Sequence, residues 1–163
     1  MAADQGQGKV NLGGEIFDAA CNLEVTDTYQ TIEMDPTPIG RLARDGQGEP
    51  HPFTLRLVNC ALTRHSAIRL GESLPDWQHV RVTFDGTDDR GGRSFGIIGS
   101  SQGVALHITD AEGRESFPGI PMPLSALTGK DQVLHYTLRL VGNNRLMAVG
   151  SHRAAVRFRL EYF

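Results

Sequence analysis

Residues 99–103 carry the one pattern in this chain that matches a catalytic motif. Gly99-Ser100-Ser101-Gln102-Gly103 fits G-x-S-x-G, the nucleophile elbow of α/β-hydrolases. That chemistry needs a strand–turn–helix in a parallel sheet, with an acid and a histidine placed downstream to activate the serine. Here the pentapeptide falls between two expected strands with no helical segment after it, so it reads as an inter-strand loop. The histidines, at positions 51, 65, 79, 107, 135 and 152, are dispersed and never at the i, i+4 spacing of a helical zinc site. His107 and His135 alternate with apolar neighbours and are expected to face solvent on strands. Asp85, Asp88 and Asp89 could touch a cation but lack the spacing of a calcium loop and fit a turn better. Cys21 and Cys60 lack C-x-x-C partners or paired histidines, which argues against a metal. Spacing leaves open one disulfide or two buried thiols. A bridge would close a loop contributing about 4 kcal/mol in the chain-entropy account and would require an oxidising compartment. No active site, no cofactor and no enzymatic activity is expected.

The elements around these residues are strands. The 163 residues suit one domain, and 19 glycines with 8 prolines suit short strands joined by tight turns. Alternation of apolar and polar residues marks strands at Val10–Phe17, Ile32–Met34, Phe53–Leu57, Val80–Phe84, Val104–Ile108 and Leu134–Leu140. Turns are marked at Asp35–Pro38, Asp85-Gly86, Asp110–Gly113 and Gly142–Asn144. Residues 40–52 read as an exposed loop, and Ala61–Leu74 as a short helical or irregular connection. About seven strands with turns between them indicate an all-β sandwich. A net charge of −3 with the two signs mixed argues against nucleic-acid binding, as does the scatter of Trp77 and the other aromatics. No stretch approaches the apolar length of a membrane span. Met1–Gly8 is small and polar and does not read as a signal peptide, so the chain reads as cytosolic or as a mature segment without its leader.

The last ten residues are the most distinctive. Ala154, Val156, Phe158, Leu160 and Tyr162 are apolar at every second position, with Arg153, Arg157, Arg159 and Glu161 among the residues between. This is a strand with one apolar face. It runs to the penultimate residue, so no later segment is expected to pair with its far side. An open apolar edge invites a strand from another chain. On periodicity alone, however, a closed sandwich with Val10–Ile16 as its ordinary first strand is the better reading.

Several segments resemble, in order, those of a known family. Gly6-Gln7-Gly8-Lys9-Val10, Gly14 and Ala19-Ala20-Cys21 are similar to the start of mature major pilins of the bacterial chaperone–usher pathway, the subunits of P and type 1 pili. Phe53–Cys60 resembles that family's second strand with the partner cysteine. Val80–Gly86, Gly103–Asp110 and Leu134–Val141 follow in matching order, and Gly150, fourteenth from the end, with penultimate Tyr162 matches the C-terminal signature.

The resemblance reverses the preference for a closed domain. It implies an incomplete immunoglobulin-like sandwich that lacks its last strand and is completed by a donor strand from a chaperone or a neighbouring subunit. Residues 1–17 would be the N-terminal donor-strand extension and residues 18–163 the pilin domain. Val10, Leu12 and Ile16 would enter a neighbour's groove, with Gly14 where the groove tolerates no side chain. The acceptor groove and chaperone contact would involve Gly150, Ala154, Val156, Phe158, Leu160, Tyr162 and the carboxylate of Phe163. A Cys21–Cys60 disulfide is implied as well. Implied partners are a periplasmic pilus chaperone, an outer-membrane usher and other pilin subunits, in an extracellular fimbrium reached through the periplasm. Residues 30–42 and Gly119–Leu140 resemble more the subunit that terminates and anchors the P pilus, while the N-terminal segment resembles the major subunit; a structural subunit is slightly the better reading. A fimbrial lectin is the more distant alternative, since there is no room for a second domain and no aromatic cluster at a loop end. A small β-sandwich enzyme is the weakest option.

Overall fold

The computed structural model describes residues 6–12, 18–66, 68–89 and 92–163. Five long strands carry the fold: β2 (His51–Val58), β5 (His79–Gly86), β6 (Val104–Asp110), β9 (Gln132–Gly142) and β10 (Val156–Tyr162). Each was foreshadowed by alternation in the sequence. Five two-residue strands were not: β1 (Asn22–Leu23), β3 (Arg64–His65), β4 (Ser73–Leu74), β7 (Glu115–Ser116) and β8 (Ser125–Ala126). Two antiparallel sheets form, one ordered β1-β2-β9-β6-β7 and the other β10-β5-β8, with β3 and β4 as a separate pair.

Alternation decides which side chains face inward. Leu55 and Leu57 of β2, Leu106 and Ile108 of β6, and Leu134, Tyr136 and Leu140 of β9 are buried, as are Val80, Val82 and Phe84 of β5. The two sheets meet through these rows. Phe84 stands edge-on to Phe53 at 5.9 Å and to Tyr136 at 4.9 Å between ring centroids, tying β5 to β2 and β9. The result is the immunoglobulin-like sandwich that the resemblance implied.

The rim departs from expectation in three places. Residues 40–52 are not all loop: α2 spans Ile39–Asp45, and β2 already starts at His51. Pro38 precedes the helix with its fixed φ, Leu42 is its one buried residue, and Gly46 ends it with φ +75° while its N–H donates to Leu42 O at 2.8 Å. Ala61–Leu74 holds no helix among its described residues and contains β3 and β4, paired Arg64 to Leu74 and His65 to Ser73. Ile32 and Met34 lie in no strand. The expected first strand is described only over Val10–Leu12, which carry no regular element; its remainder lies outside the described residues.

Two links fix the chain around β1. A disulfide joins Cys21, just before β1, to Cys60, just after β2, across 39 positions. The short helix α1 (Val25–Thr28) follows β1 and brings the buried Asp27 carboxylate against β2. Arg56 donates to it from its backbone N–H at 2.7 Å and from its guanidinium at 3.0 and 3.1 Å. These bonds hold the Asp27 carboxyl below the usual carboxylate range.

Candidate functional site

β10 lies at the edge of its sheet. On one side it pairs with β5 in a continuous antiparallel register, from Val156 opposite Gly86 to Tyr162 opposite Val80. On its other side no strand pairs with it among the described residues. Side-chain burial reflects that asymmetry. Val80, Val82 and Phe84 are 0%, 4% and 2% exposed, whereas Phe158, Leu160 and Tyr162, their partners across the ladder, are only half-buried, as is Val156. All four pack on the core from one flank and meet solvent on the other. An edge strand with unpaired backbone groups and an apolar row is a template for a further strand.

The two ends of this edge are held differently. At the far end, Tyr162 Oη donates to Cys21 O at 3.5 Å, and its ring stands 6.1 Å from Trp77. Burial pushes the Tyr162 hydroxyl above its ordinary pKa, which keeps it a donor. The strand end therefore leans on the residues that lead into β1. Phe163 continues the ladder: its N–H donates to His79 O at 2.9 Å, and its O accepts from the N–H groups of Gln78 and His79 at 2.6 and 2.8 Å. Phe163 is exposed, and the Arg81 guanidinium lies 4.8 Å from its ring centre.

At the near end, residues 98–102 cross residues 148–153, with isolated pairing of Ile98 with Arg153 and of Gln102 with Ala148. The crossing is glycine-dependent. A methyl on Gly150 would lie 2.5 Å from Ser101 N, and one on Gly99 would lie 2.3 Å from Ser151 O. This explains both the glycine at position 150 and the match to G-x-S-x-G. The serine of the motif is Ser101, whose buried Oγ has no hydrogen-bond partner among the described residues and so no histidine or carboxylate to activate it; Ser100 Oγ accepts the Ser151 N–H at 3.0 Å, and no helix follows. The motif is a backbone crossing.

The residues expected to form the groove thus divide. Val156, Phe158, Leu160 and Tyr162 share one half-buried row, and Phe163 extends it. Ala154 is exposed just before the strand, and Gly150 belongs to the crossing. Of the expected donor residues, Val10 and Leu12 are 79% and 92% exposed, while Gly14 and Ile16 lie outside the described residues. His135 is exposed and His107 partly so, within 4.0 Å of Glu115. No cluster of three or more metal-ligating side chains occurs among the described residues, and no helix there is long and apolar enough to cross a membrane. Sequence reasoning missed Trp77, the Gln78–His79 pairing with Phe163, and the partner role of Gly99. The glycines at 99 and 150 were the only signal for the crossing.

The described residues thus form a sandwich with one half-buried edge strand, β10, paired on one side only. Comparison with known proteins identifies the class to which this fold belongs. No protein-family model matches the chain. The chain is 34% identical over 155 residues to the PRS fimbrial minor pilin protein of Escherichia coli, covering 95% of this chain and 77% of that one. It is 29% identical to the PRS fimbrial major pilin protein of the same species, covering 99% and 98%. Among solved structures, a chaperone–usher pilus studied for rod uncoiling superposes with a TM-score of 0.77 at 25% identity over 99% of each chain. The P pilus rod subunit PapA shares the fold, with a TM-score of 0.73 at 22% identity over 89% of this chain and all of that one. The chain belongs to the fimbrial pilins, the structural subunits of bacterial fimbriae.

Proposed function

We propose that this pilin polymerises by donor-strand exchange. Residues 1–17 act as the donor extension, and residues 18–163 form a domain whose groove runs along β10. In this reading Val10, Leu12 and Ile16 of one subunit settle against Val156, Phe158, Leu160 and Tyr162 of the next, and Gly14 passes the tightest point. The single observation that supports it is the row of half-buried apolar side chains on the inward face of β10, whose second edge pairs with no strand among the described residues. A periplasmic chaperone would occupy the same edge before assembly at an outer-membrane usher, with basic residues reaching the Phe163 carboxylate. The fibre would then be extracellular, on the bacterial surface, with the disulfide formed on the way.

A chain lacking residues 1–17 tests the assignment. It should fold, accept a donor segment and fail to self-assemble, as read by size-exclusion chromatography and electron microscopy beside the full chain. Fibres from the shortened chain would overturn the assignment of residues 1–17. A second reading, a minor subunit that terminates and anchors the fibre, is supported by the higher identity to the minor pilin than to the major one, 34% against 29%. Such a subunit would donate its strand and refuse one, so labelled donor peptide would not bind it.

A further inference from the structure

The outward face of β10 is charged in a way that ranks possible donor strands. Arg157 and Arg159 are 82% and 68% exposed at the side chain, and Arg153 precedes them on the same alternation. Glu161 closes the row and is shared between Arg159 at 3.7 Å and Arg81 of β5 at 3.2 Å. Asp85 of β5 stands 3.6 Å from Arg157. Four guanidiniums thus face two carboxylates, and the excess positive charge lies toward the start of β10.

An incoming strand with Val10, Leu12, Gly14 and Ile16 facing inward must turn Lys9, Asn11, Gly13 and Glu15 outward, because strand side chains alternate. Matching all four inward residues to Val156, Phe158, Leu160 and Tyr162 leaves two arrangements. Antiparallel, Val10 meets Tyr162, Leu12 meets Leu160, Gly14 meets Phe158 and Ile16 meets Val156. Glu15 then lies directly across from Arg157, Lys9 is diagonal to Glu161, and glycine stands opposite the Phe158 ring. Parallel, Glu15 lies across from Glu161, and Lys9 sits between Arg153 and Arg157. Like charges then oppose each other at both ends.

Resting on the donor-strand reading above, we propose that, with the incoming strand antiparallel, the outward charges of β10 discriminate among donor strands in favour of the N-terminal segment of a second copy of this chain. Arg157 receives Glu15, and Glu161 receives Lys9. The apolar row supplies adhesion; the charges supply preference for self.

The test uses two labelled peptides covering residues 6–18, binding to the full chain in low salt. One has the natural sequence; the other carries Lys9→Gln and Glu15→Gln, which keeps net charge and apolar face unchanged and leaves no charged contact in either arrangement. The natural peptide should bind about 3-fold or more tightly than the neutral one, from two cross-strand charge contacts. The gap should close in high salt. An acceptor with Arg157→Gln and Glu161→Gln should bind the two peptides alike. Equal affinities on the unaltered acceptor, or tighter binding of the neutral peptide, would overturn the charge selection while leaving the groove intact. If neither peptide binds, the groove reading fails and the selection with it.

Discussion

At the scale of single residues, the decisive positions are those where the chain has no room or no alternative partner. Gly150 is one. Alanine there places its methyl 2.5 Å from Ser101 N, so the crossing of residues 98–102 over 148–153 must open. Gly150→Ala is expected to cost about 1–3 kcal/mol, the range for forcing an extra carbon into filled space, measured as a shift in the denaturant midpoint. Ser101→Ala, at the serine of the motif, removes a buried hydroxyl with no hydrogen-bond partner among the described residues and should change stability by less than about 1 kcal/mol in the same titration. Asp27 is the buried charge that organises the rim. Its carboxyl is held low by Arg56, so its contribution is complete above the unfolded pKa of about 4 and is lost as pH falls through the lower folded value. Asp27→Asn should therefore be less stable than wild type at pH 7, with the difference narrowing toward pH 2–3 in parallel unfolding titrations.

At the scale of elements, β5 and β10 are matched in sequence pattern and unequal in environment. Phe84 is 2% exposed and touches Phe53, Tyr136 and Phe158, whereas Phe158 is half-buried and meets Phe84 at 6.4 Å. Phe84→Ala should cost about 3–5 kcal/mol. Phe158→Ala should cost less than half as much in the isolated chain and more once a donor strand covers it, as chemical denaturation with and without donor peptide would show. Replacing Cys21 and Cys60 by serine should cost about 4 kcal/mol, since the bridge closes a 39-position loop and tethers the two-residue β1. The same contrast explains what could be read in advance. β2, β5, β6, β9 and β10 are long enough for period-two alternation to register, and the apolar row of the groove is that alternation. β1, β3, β4, β7 and β8 are two residues each and leave no period to detect. α2 was hidden because its seven residues bury only Leu42 and include Gly40, so no apolar stripe forms. Tyr162 against Cys21 and Trp77 depends on contacts between residues 141 and 85 positions apart, which no local pattern records.

At the scale of the molecule, the described residues form a sandwich in which β10 pairs with β5 on one side and with no strand on the other. The core is filled on the β5 side and open along β10, and a segment carrying Val10 and Leu12 exposes apolar side chains with no core of its own. The most direct measurement appends a second copy of Lys9–Phe17 after Phe163 through a flexible linker long enough to double back antiparallel along β10. Thermal unfolding and oligomeric state are then compared with those of the unmodified chain. Covering the half-buried row of Val156, Phe158, Leu160 and Tyr162 should raise the melting temperature by more than about 10 °C and leave the protein monomeric. An unchanged melting temperature, with the unmodified chain already a stable monomer, would show a closed domain and contradict assembly through β10.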